Sequence, residues 1–455
     1  MRVRSSICSE CRYNHGRFGV SVTYTGGHPS QYDVDMLNIG WYWDFTARNI
    51  PALESLEYIQ TIRLSPADNL GYTANPTGTA LLDIIAANAG AWWLIGNEPD
   101  CVWQDNMPSY LYAKAYHDLY LLIKGADPTA KIGAGSIVQP TPQRLRYLDK
   151  VLEAYEQMYG EPLPVDAWVT HNYILCENCI PQRPGDPFAW GACPVPDWPE
   201  GSEDATYYSV YDHWRLDIFR ERLINFRRWM RDRGYRNYPL FVSEYGILFY
   251  DGLVEGKTIE DNIAFMYGTF DWMLEARDPE LGYPPDDNRL VQRWAWFSLD
   301  HDWWYMGGAL FDYITHQPLD MGIAYSKYTS ALTPTLKLLI KAWAKPAYGP
   351  PGEPITATLY ALISNAGDVK SPGPLKVTFM DKSGMTIKEL KLKPLNCCGD
   401  WVEVNVDWPG LTDGAHHFCA SVVTPSAEEV WACGVAMVNP HSIYLPLVMR
   451  QKKSF

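Results

Sequence analysis

The sequence lacks the features that mark membrane proteins and nucleic-acid-binding proteins. Nowhere do about 18 uncharged apolar residues follow one another, and the best candidate run, Leu81 to Gly96, contains Asp83 and Asn88. Basic residues are outnumbered, with 38 Lys and Arg against 53 Asp and Glu, and the net charge of −15 argues against a phosphate-rich partner. We therefore expect neither a membrane span nor nucleic acid as a ligand.

An apolar leader is also missing from the start of the chain. Met1-Arg-Val-Arg begins like the basic region of a signal peptide, but no apolar region follows it. Two interpretations stay open: the leader lies outside this chain, or the protein is intracellular. The ten cysteines favour export, because disulfides persist in oxidising compartments, and we expect a secreted protein.

The cysteines indicate disulfides rather than a metal site. Four of them are candidates for two loop-stapling disulfides or for a zinc site: Cys101, Cys176, Cys179 and Cys193. Disulfides are favoured because the spacing lacks a second close pair of the kind zinc sites use. Cys419 and Cys433 lie on successive predicted strands and are expected to be cross-strand partners. We expect no metal and no cofactor.

Short apolar runs alternate with amphipathic stretches over residues 16–345, the rhythm of βα units. Eight strands are predicted: Phe18–Tyr24, Leu37–Phe45, Tyr58–Ser65, Trp92–Asn97, Lys131–Val138, Ala167–Asn172, Leu240–Tyr245 and Arg293–Leu299. Helices are predicted at Tyr110–Gly125, Thr141–Tyr159, Trp214–Gly234, Ile259–Ala276 and Ser330–Ala344. The second and third strands are too close for a full helix between them. The pattern predicts an α/β fold, a (β/α)8 TIM barrel.

The remainder of the chain divides into an arm, a linker and a small all-β domain. Residues 1–15 form an N-terminal arm, and the Pro/Gly-rich stretch 346–354 is a linker. Seven short predicted strands with turn signals between them fill residues 355–455. Their spacing predicts an Ig-like β-sandwich that follows the barrel.

Two glutamates stand at the ends of predicted strands. Asn97-Glu98-Pro99 follows the apolar run 91–96, and proline stops the strand there. Glu244 ends the apolar run that begins at Pro239. Active sites of (β/α)8 barrels lie at the C-terminal strand ends, and retaining glycoside hydrolysis needs one proton donor and one nearby carboxylate. The pair therefore predicts a glycosidase.

At these residues the chain resembles clan A of the glycoside hydrolases, which are retaining (β/α)8 enzymes. That clan has Asn-Glu-Pro on strand four and a nucleophilic glutamate on strand seven, and the strand count puts Glu98 and Glu244 there. The resemblance implies that Glu98 is the general acid/base and Glu244 the nucleophile, and that Asn97 binds the 2-hydroxyl of the sugar. No family within the clan is assigned.

The resemblance also implies a group of supporting residues. On strand six, Tyr173 would donate a hydrogen bond to the nucleophile, with His171 nearby. Arg63 at the end of strand three would serve the same purpose, although a surface ion pair is an equal alternative. For His171 the alternative is a satisfied core histidine. Such donors would keep the pKa of Glu244 low, while burial and a nearby negative charge would raise the pKa of Glu98.

Aromatic residues are expected to shape a sugar-binding cleft. The chain has 19 Trp and 30 Tyr against 14 Phe, a composition that suits sugar rings as well as core packing. Trp296 on strand eight resembles the tryptophan that floors the cleavage subsite in the clan. Trp41 and Trp43 share one face of strand two and are further cleft candidates.

The sequence therefore predicts a retaining glycosidase that acts on a β-linked polysaccharide, as an endo-β-glycanase such as a β-glucanase, xylanase or mannanase. The many aromatic loop residues suit an extended cleft. Two alternatives stay open: an exo-acting β-glycosidase on oligosaccharides, and a non-catalytic carbohydrate-binding barrel. The sugar, the linkage and the oligomeric state are not predicted.

Overall fold

The structure contains two compact units, each with its own sheet architecture. The computed structural model describes residues 15–69, 71–177, 208–249, 252, 254–302, 307–423 and 429–440. The first unit consists of Met1–Leu336 with two short later segments, Ala366–Val369 and Cys397–Gly399. The second consists of Lys337–Asn365, Lys370–Asn396 and Asp400–Phe455.

The first unit is a closed barrel of parallel strands surrounded by helices, as the sequence predicts. Its strands are β1 (His15–Ser21), β2 (Ile39–Trp43), β3 (Glu57–Tyr58), β4 (Gln60–Ala67), β6 (Trp92–Ile95), β7 (Lys131–Ile137), β8 (Ala167–His171), β9 (Leu240–Tyr245) and β10 (Arg293–Trp296). Only Ile59 separates β3 from β4, so the two form one barrel strand, which pairs first with β2 and then with β6. The barrel closes where β10 pairs with β1. A short strand, β5 (Gly71–Asn75), extends β4 as an antiparallel arm.

In the described part of the chain, six α-helices accompany the strands. They are α1 (Gly78–Ala87), α2 (Ser109–Ala126), α3 (Pro142–Tyr159), α4 (Leu216–Asp232), α5 (Ile259–Glu275) and α6 (Asp320–Ala331). The predicted helices that correspond to α2, α3, α4 and α5 are confirmed within a few residues, because their apolar positions recur at helical spacing. Among the described helices, none has both the length and the apolar character needed to cross a bilayer.

One predicted helix is wrong. The sequence predicts a helix over Ser330–Ala344. In the structure, α6 ends at Ala331, and Leu338–Ala344 form strand β11 of the second unit. Pro334 interrupts the helical pattern, and β11 finds an antiparallel partner that local propensity does not reveal. The helix α1 was not predicted, whereas residues 44–56 contain no α-helix, as expected from their length.

The barrel interior is a packed core rather than a pore. Its buried residues are Trp41, Trp43, Ile59, Leu94, Ala167, Val169, Phe241 and Ala295. The Trp41 ring fits because residue 19 is glycine: a Cβ at Gly19 would lie 2.5 Å from the indole. A larger apolar layer fills the space between strands and helices. The functional groups therefore have a solid floor at the strand ends.

The second unit is a sandwich of antiparallel sheets. One sheet holds β11, β12 (Ile355–Asn365) and β15 (Asp400–Leu411). The other holds β14 (Thr386–Leu392), β13 (Leu375–Asp381), β16 (Gly414–Val423) and β17 (Glu429–Val438), in that order. Six of the seven predicted strands correspond to β12–β17, and the seventh, 443–448, lies outside the described residues. Alternating side chains from both sheets are fully buried, as in Ig-like packing.

The disulfide predictions have mixed outcomes. Cys419 and Cys433 face each other across β16 and β17 and are bonded, which confirms the predicted pair. Cys101, by contrast, is a buried free thiol, so the prediction of two disulfides among the four loop cysteines is wrong for this residue. Cys179 and Cys193 lie outside the described residues. Cys397 and Cys398 form a vicinal disulfide.

A buried arginine ties the N-terminal end of the barrel together. The guanidinium of Arg17 on β1 donates two hydrogen bonds of 2.8 Å to Asp286, and neither side chain is exposed. Its Nε donates to Asp368 over 2.7 Å, within the same unit. The guanidinium also donates hydrogen bonds to the backbone carbonyls of Gln292, Ala366 and Gly367. The charge is thus fully compensated, which is the condition for burying it.

Replacement of Arg17 by methionine should destabilise the first unit by about 3 kcal/mol, because it removes the guanidinium that is hydrogen-bonded to buried Asp286 and leaves only Arg289, 3.5 Å away, as a counter-charge. Denaturant unfolding followed by tryptophan fluorescence measures the loss. The control is Arg215→Met, which breaks an ion pair with Asp217 that is exposed to solvent and should change stability far less. Equal effects of the two substitutions would contradict the structural role given to Arg17.

Candidate active site

Two carboxylates meet at the C-terminal end of the barrel strands. Glu98 lies three positions beyond the end of β6, and Glu244 is part of β9, so the two glutamates stand at the ends of the fourth and seventh barrel strands. The two residues are 6% and 7% exposed, which leaves each carboxylate a narrow opening to solvent. One oxygen of each lies within 4.8 Å of the other. Closure of the barrel, rather than proximity in sequence, brings them together.

His171 lies between the two glutamates at the end of β8. Its Nδ1 is 2.8 Å from Glu98 Oε1 and 3.8 Å from Glu244 Oε2, and the ring is fully buried. Tyr173, on the same segment, donates a hydrogen bond of 2.8 Å from its hydroxyl to Glu244 Oε1. The structure thus brings together the four residues Glu98, His171, Tyr173 and Glu244, and His171 belongs to the site rather than to an apolar core.

Burial controls the ionisation of this group. It raises the pKa of Glu244 to about 7, with a further contribution from the charge of Glu98, although His171, Tyr173 and Arg63 oppose the rise. The expected low pKa of Glu244 is therefore not found, because desolvation outweighs the donors. Burial also disfavours the charged form of His171, yet the nearby charges of Glu244 and Glu98 outweigh it and raise the pKa of the imidazole.

Asn97 and Arg63 border the carboxylates. Arg63 donates from Nε to Asp105 over 2.6 Å and from Nη2 to Gln104, rather than to Glu244, so it forms an ion pair beside the site. The Asn97 side-chain amide donates to Gln104 over 3.3 Å, and its Oδ1 has no hydrogen-bond partner among the described residues. Such a buried acceptor is free to receive a ligand hydroxyl.

Asp105 supports this border and was not identified from the sequence. Its Oδ2 accepts the backbone N–H of Asn97 over 2.8 Å and that of Leu64 over 2.9 Å, while Oδ1 binds Arg63. The side chain therefore joins the third and fourth barrel strands where they end. A polar residue in a predicted loop gives no sequence signal for such a role.

The prediction for Trp296 is wrong. Its ring is fully buried, packs 6.2 Å from Phe270 of α5, and donates from Nε1 to the carbonyl of Gly308. Alternation along β10 turns Trp294 and Trp296 outward to the helices, whereas Ala295 faces the barrel interior. The aromatic residue of this strand end that borders the site is Phe297, whose ring centroid lies 6.2 Å from that of Tyr173.

The two tryptophans of β2 are interior packing residues. Trp43 lies directly under the site: its ring centroid is 5.9 Å from that of His171, and its Nε1 donates to the Ser243 carbonyl over 2.8 Å. Trp41 lies at the other end of the strand, under the guanidinium of Arg293. Neither ring has any exposed surface, so the prediction that they line the cleft is wrong for this structure. Phe45 covers Trp43 from above, with centroids 4.4 Å apart.

The backbone at Glu98 is strained. Glu98 has φ +46°, in the left-handed region, and its N–H donates to the carbonyl of Ser136, which has φ +47°. Each such residue costs about 1–3 kcal/mol and persists only when its surroundings hold it. Strain of this kind concentrates at functional sites, and here it falls on the residue whose carboxylate contacts His171.

The arrangement allows two kinds of chemistry. Two carboxylates at this separation can share the work of a proton donor and a nucleophile. Glu98, His171 and Glu244 are also the one group of potential metal-ligating side chains that the described part of the chain brings close enough for a shared ion. The Tyr173 hydroxyl already occupies one oxygen of Glu244, which fits a carboxylate that must be aimed at a substrate.

Comparisons with known proteins give only matches of shape. No protein-family model matches the sequence, and no curated protein sequence matches it. The chain superposes on a GH128 (subgroup II) endo-β-1,3-glucanase from Sorangium cellulosum with 15% identity and a TM-score of 0.41, over 68% of this chain and 97% of that one.

Two further solved structures match different extents of the chain. A β-glucuronidase from Bacteroides uniformis matches 90% of this chain, which spans 42% of that protein, with 9% identity and a TM-score of 0.35. The CARDB domain of the PF1109 protein from Pyrococcus furiosus matches 23% of this chain and 88% of its own length, with 18% identity and a TM-score of 0.17. At these scores the likenesses carry no argument about the activity of this chain.

Substitution of Glu244 by glutamine should stabilise the protein at pH 8 but not at pH 4. A carboxyl whose pKa rises to about 7 on folding contributes stability below its unfolded pKa near 4.5, and that contribution is lost as pH rises through 7. The gain at pH 8 should be about 2–3 kcal/mol, measured by denaturant unfolding at both pH values.

Asp261→Asn is the control for this pH dependence. Hydrogen bonds from Thr258 at the start of α5 lower the pKa of Asp261, so its substitution should remove stability at pH 8. A Glu244→Gln variant that loses stability at pH 8 as well would show that Glu244 is not under a burial penalty.

Proposed function

We propose that the protein is a retaining glycoside hydrolase that cleaves β-linked polysaccharide by double displacement. The observation that carries this proposal is the approach of Glu98 and Glu244 to within 4.8 Å at the barrel rim. Retaining enzymes hold their two carboxyl groups about 5–5.5 Å apart, whereas inverting enzymes leave about 6.5–9.5 Å for a water molecule. The clan A resemblance of the sequence points to the same pair.

In the proposed reaction, Glu244 attacks the anomeric carbon while Glu98 protonates the departing oxygen, which breaks the glycosidic bond. Glu98 then removes a proton from water, which attacks the anomeric carbon and releases Glu244. Tyr173 stabilises the ionised form of Glu244 through its hydrogen bond. His171 contacts both carboxylates and holds their relative orientation. Asn97 offers its unpaired Oδ1 to a hydroxyl of the sugar.

An endo-acting enzyme is the preferred form of this proposal, and an exo-acting β-glycosidase is the alternative. The support is Trp103, which is 72% exposed on the turn that follows Glu98, where a further sugar unit can stack on it. The products distinguish the two, because an endo-enzyme shortens long chains before monosaccharide accumulates.

Wild-type protein should release reducing sugar from at least one member of a panel of β-glucans, xylan, mannan and aryl β-glycosides. Glu244→Gln should lower that activity at least about 10³-fold, because glutamine cannot form the covalent intermediate. Glu280→Gln, at an exposed turn, is the matched control and should keep full activity. EDTA should have no effect.

Two results would contradict the proposal. Binding of a glycan without hydrolysis of any panel member would assign the barrel to carbohydrate binding. Activity that EDTA abolishes and zinc restores would instead give the Glu98, His171 and Glu244 group to a metal ion.

Azide should separate the roles of the two glutamates. With Glu244→Ala, azide takes the place of the missing nucleophile and should give a glycosyl azide of inverted configuration. With Glu98→Ala and an activated aryl glycoside, azide attacks the glycosyl-enzyme and should give the retained product. The anomeric configuration of each product is read by NMR. An exchange of the two outcomes would reverse the assignment of acid/base and nucleophile.

A further inference from the structure

We propose that Arg144 is a positioning residue that holds the turn carrying the acid/base Glu98 in place against the segment that follows β8. The inference rests on the proposed function and extends it to a side chain outside the pair. Arg144 lies near the start of α3 and has no exposed surface. Its guanidinium contacts one segment that carries Glu98 and another that carries Tyr173, the donor to Glu244.

On the first side, Arg144 holds the turn that follows Glu98. Its Nη1 donates both to the Asp100 carbonyl, over 2.5 Å, and to Asp100 Oδ2, over 2.9 Å. The other oxygen of Asp100 accepts the backbone N–H of Val138 over 3.2 Å. Asp100 is fully buried and stands two positions after the strained backbone of Glu98. Arg144 therefore fixes the turn on which the left-handed conformation of Glu98 depends.

On the second side, Arg144 holds the segment that follows β8. Its Nε and Nη2 donate to Glu177 Oε2 over 3.0 and 2.7 Å, and the Thr141 hydroxyl donates to Glu177 Oε1. Gln139 binds the N–H and the carbonyl of Leu175, between Glu177 and Tyr173. The chain from Tyr173 to Glu177 is thus fastened at two points.

The planar guanidinium is what allows one side chain to serve both sides. It directs parallel donors at Glu177 and a further donor at Asp100, whereas a lysine ammonium offers a single point of charge. Without Arg144, the buried carboxylates of Asp100 and Glu177 would both lose the guanidinium that pairs with them. Their mutual repulsion would move the Glu98 turn, and a shift of about 1 Å can lower a rate about 100-fold.

Dependence on the leaving group gives the test its specificity. The substrates are two aryl β-glycosides of the sugar that the panel identifies, one with phenol and one with 2,4-dinitrophenol as leaving group. Phenol needs a proton from Glu98 to depart, and dinitrophenol does not. Arg144→Lys should therefore lower kcat/KM about 100-fold for the phenyl glycoside and change it little for the dinitrophenyl glycoside.

Arg17→Lys is the matched control. Arg17 is likewise fully buried between two carboxylates, but at the opposite end of the barrel, so it should reduce stability without any leaving-group dependence. Asp100→Asn keeps the shape of the side chain and should reproduce the selective loss of Arg144→Lys if that variant fails to fold. Both activities are normalised to folded protein by circular dichroism.

Each outcome decides the inference. A loss confined to the phenyl glycoside in Arg144→Lys or Asp100→Asn, and absent in Arg17→Lys, supports it. Equal losses on both substrates, or the same profile in Arg17→Lys, overturn the positioning role and leave the proposed function intact. Absence of turnover by the wild-type protein on every substrate overturns the proposed function and the inference with it.

Discussion

The site depends on the burial of three ionisable groups within 4.8 Å of one another. Two of them, Glu98 and Glu244, carry charge of the same sign when ionised, and both side chains are almost fully buried. Burying ionised carboxylates together lowers the stability of the folded protein. Burial and the charge of Glu98 therefore raise the pKa of Glu244, which favours its protonated form. Two carboxyls this close resist ionising together, so the pair tends to keep one proton. In the proposed reaction that proton is on Glu98, while the charge of His171 and the hydrogen bond from Tyr173 favour the ionised form of Glu244.

The rest of the barrel keeps this unfavourable arrangement in place. Trp43 and Phe45 pack beneath and beside it, so the side chains cannot relax into the barrel interior. Asp105 fixes the backbone at Asn97, and Arg144 fixes it at Asp100, on either side of the strained Glu98. Burial of the large apolar layer around the strands stabilises the fold and offsets the cost of these local arrangements.

The sequence predicted the strand ends well and the side-chain environments poorly. Glu98 and Glu244 were predicted because apolar runs locate strands, and barrel closure brings the strand ends together; His171 and Tyr173 were added by the clan A resemblance. Trp296 was misjudged because period-two alternation groups residues by face without saying which face is inward. Leu338–Ala344 was misjudged because its strand exists only through pairing with a distant segment. Asp105 and Arg144 gave no local signal at all.

Arg17 and Arg144, two of the buried arginines, show why such residues escape sequence reasoning and what separates their roles. Arg17 meets Asp286 over 269 residues of chain, and Arg144 meets Asp100 over 44, so neither pair has a local spacing to detect. Both satisfy the same electrostatic requirement, a buried guanidinium enclosed by carboxylates. Their positions differ. Arg17 lies near the strand starts, the end of a (β/α)8 barrel whose residues serve stability. Arg144 lies near the strand ends, where the functional groups of such barrels are found. An interaction of one physical kind can therefore serve stability at one end of the barrel and geometry at the other.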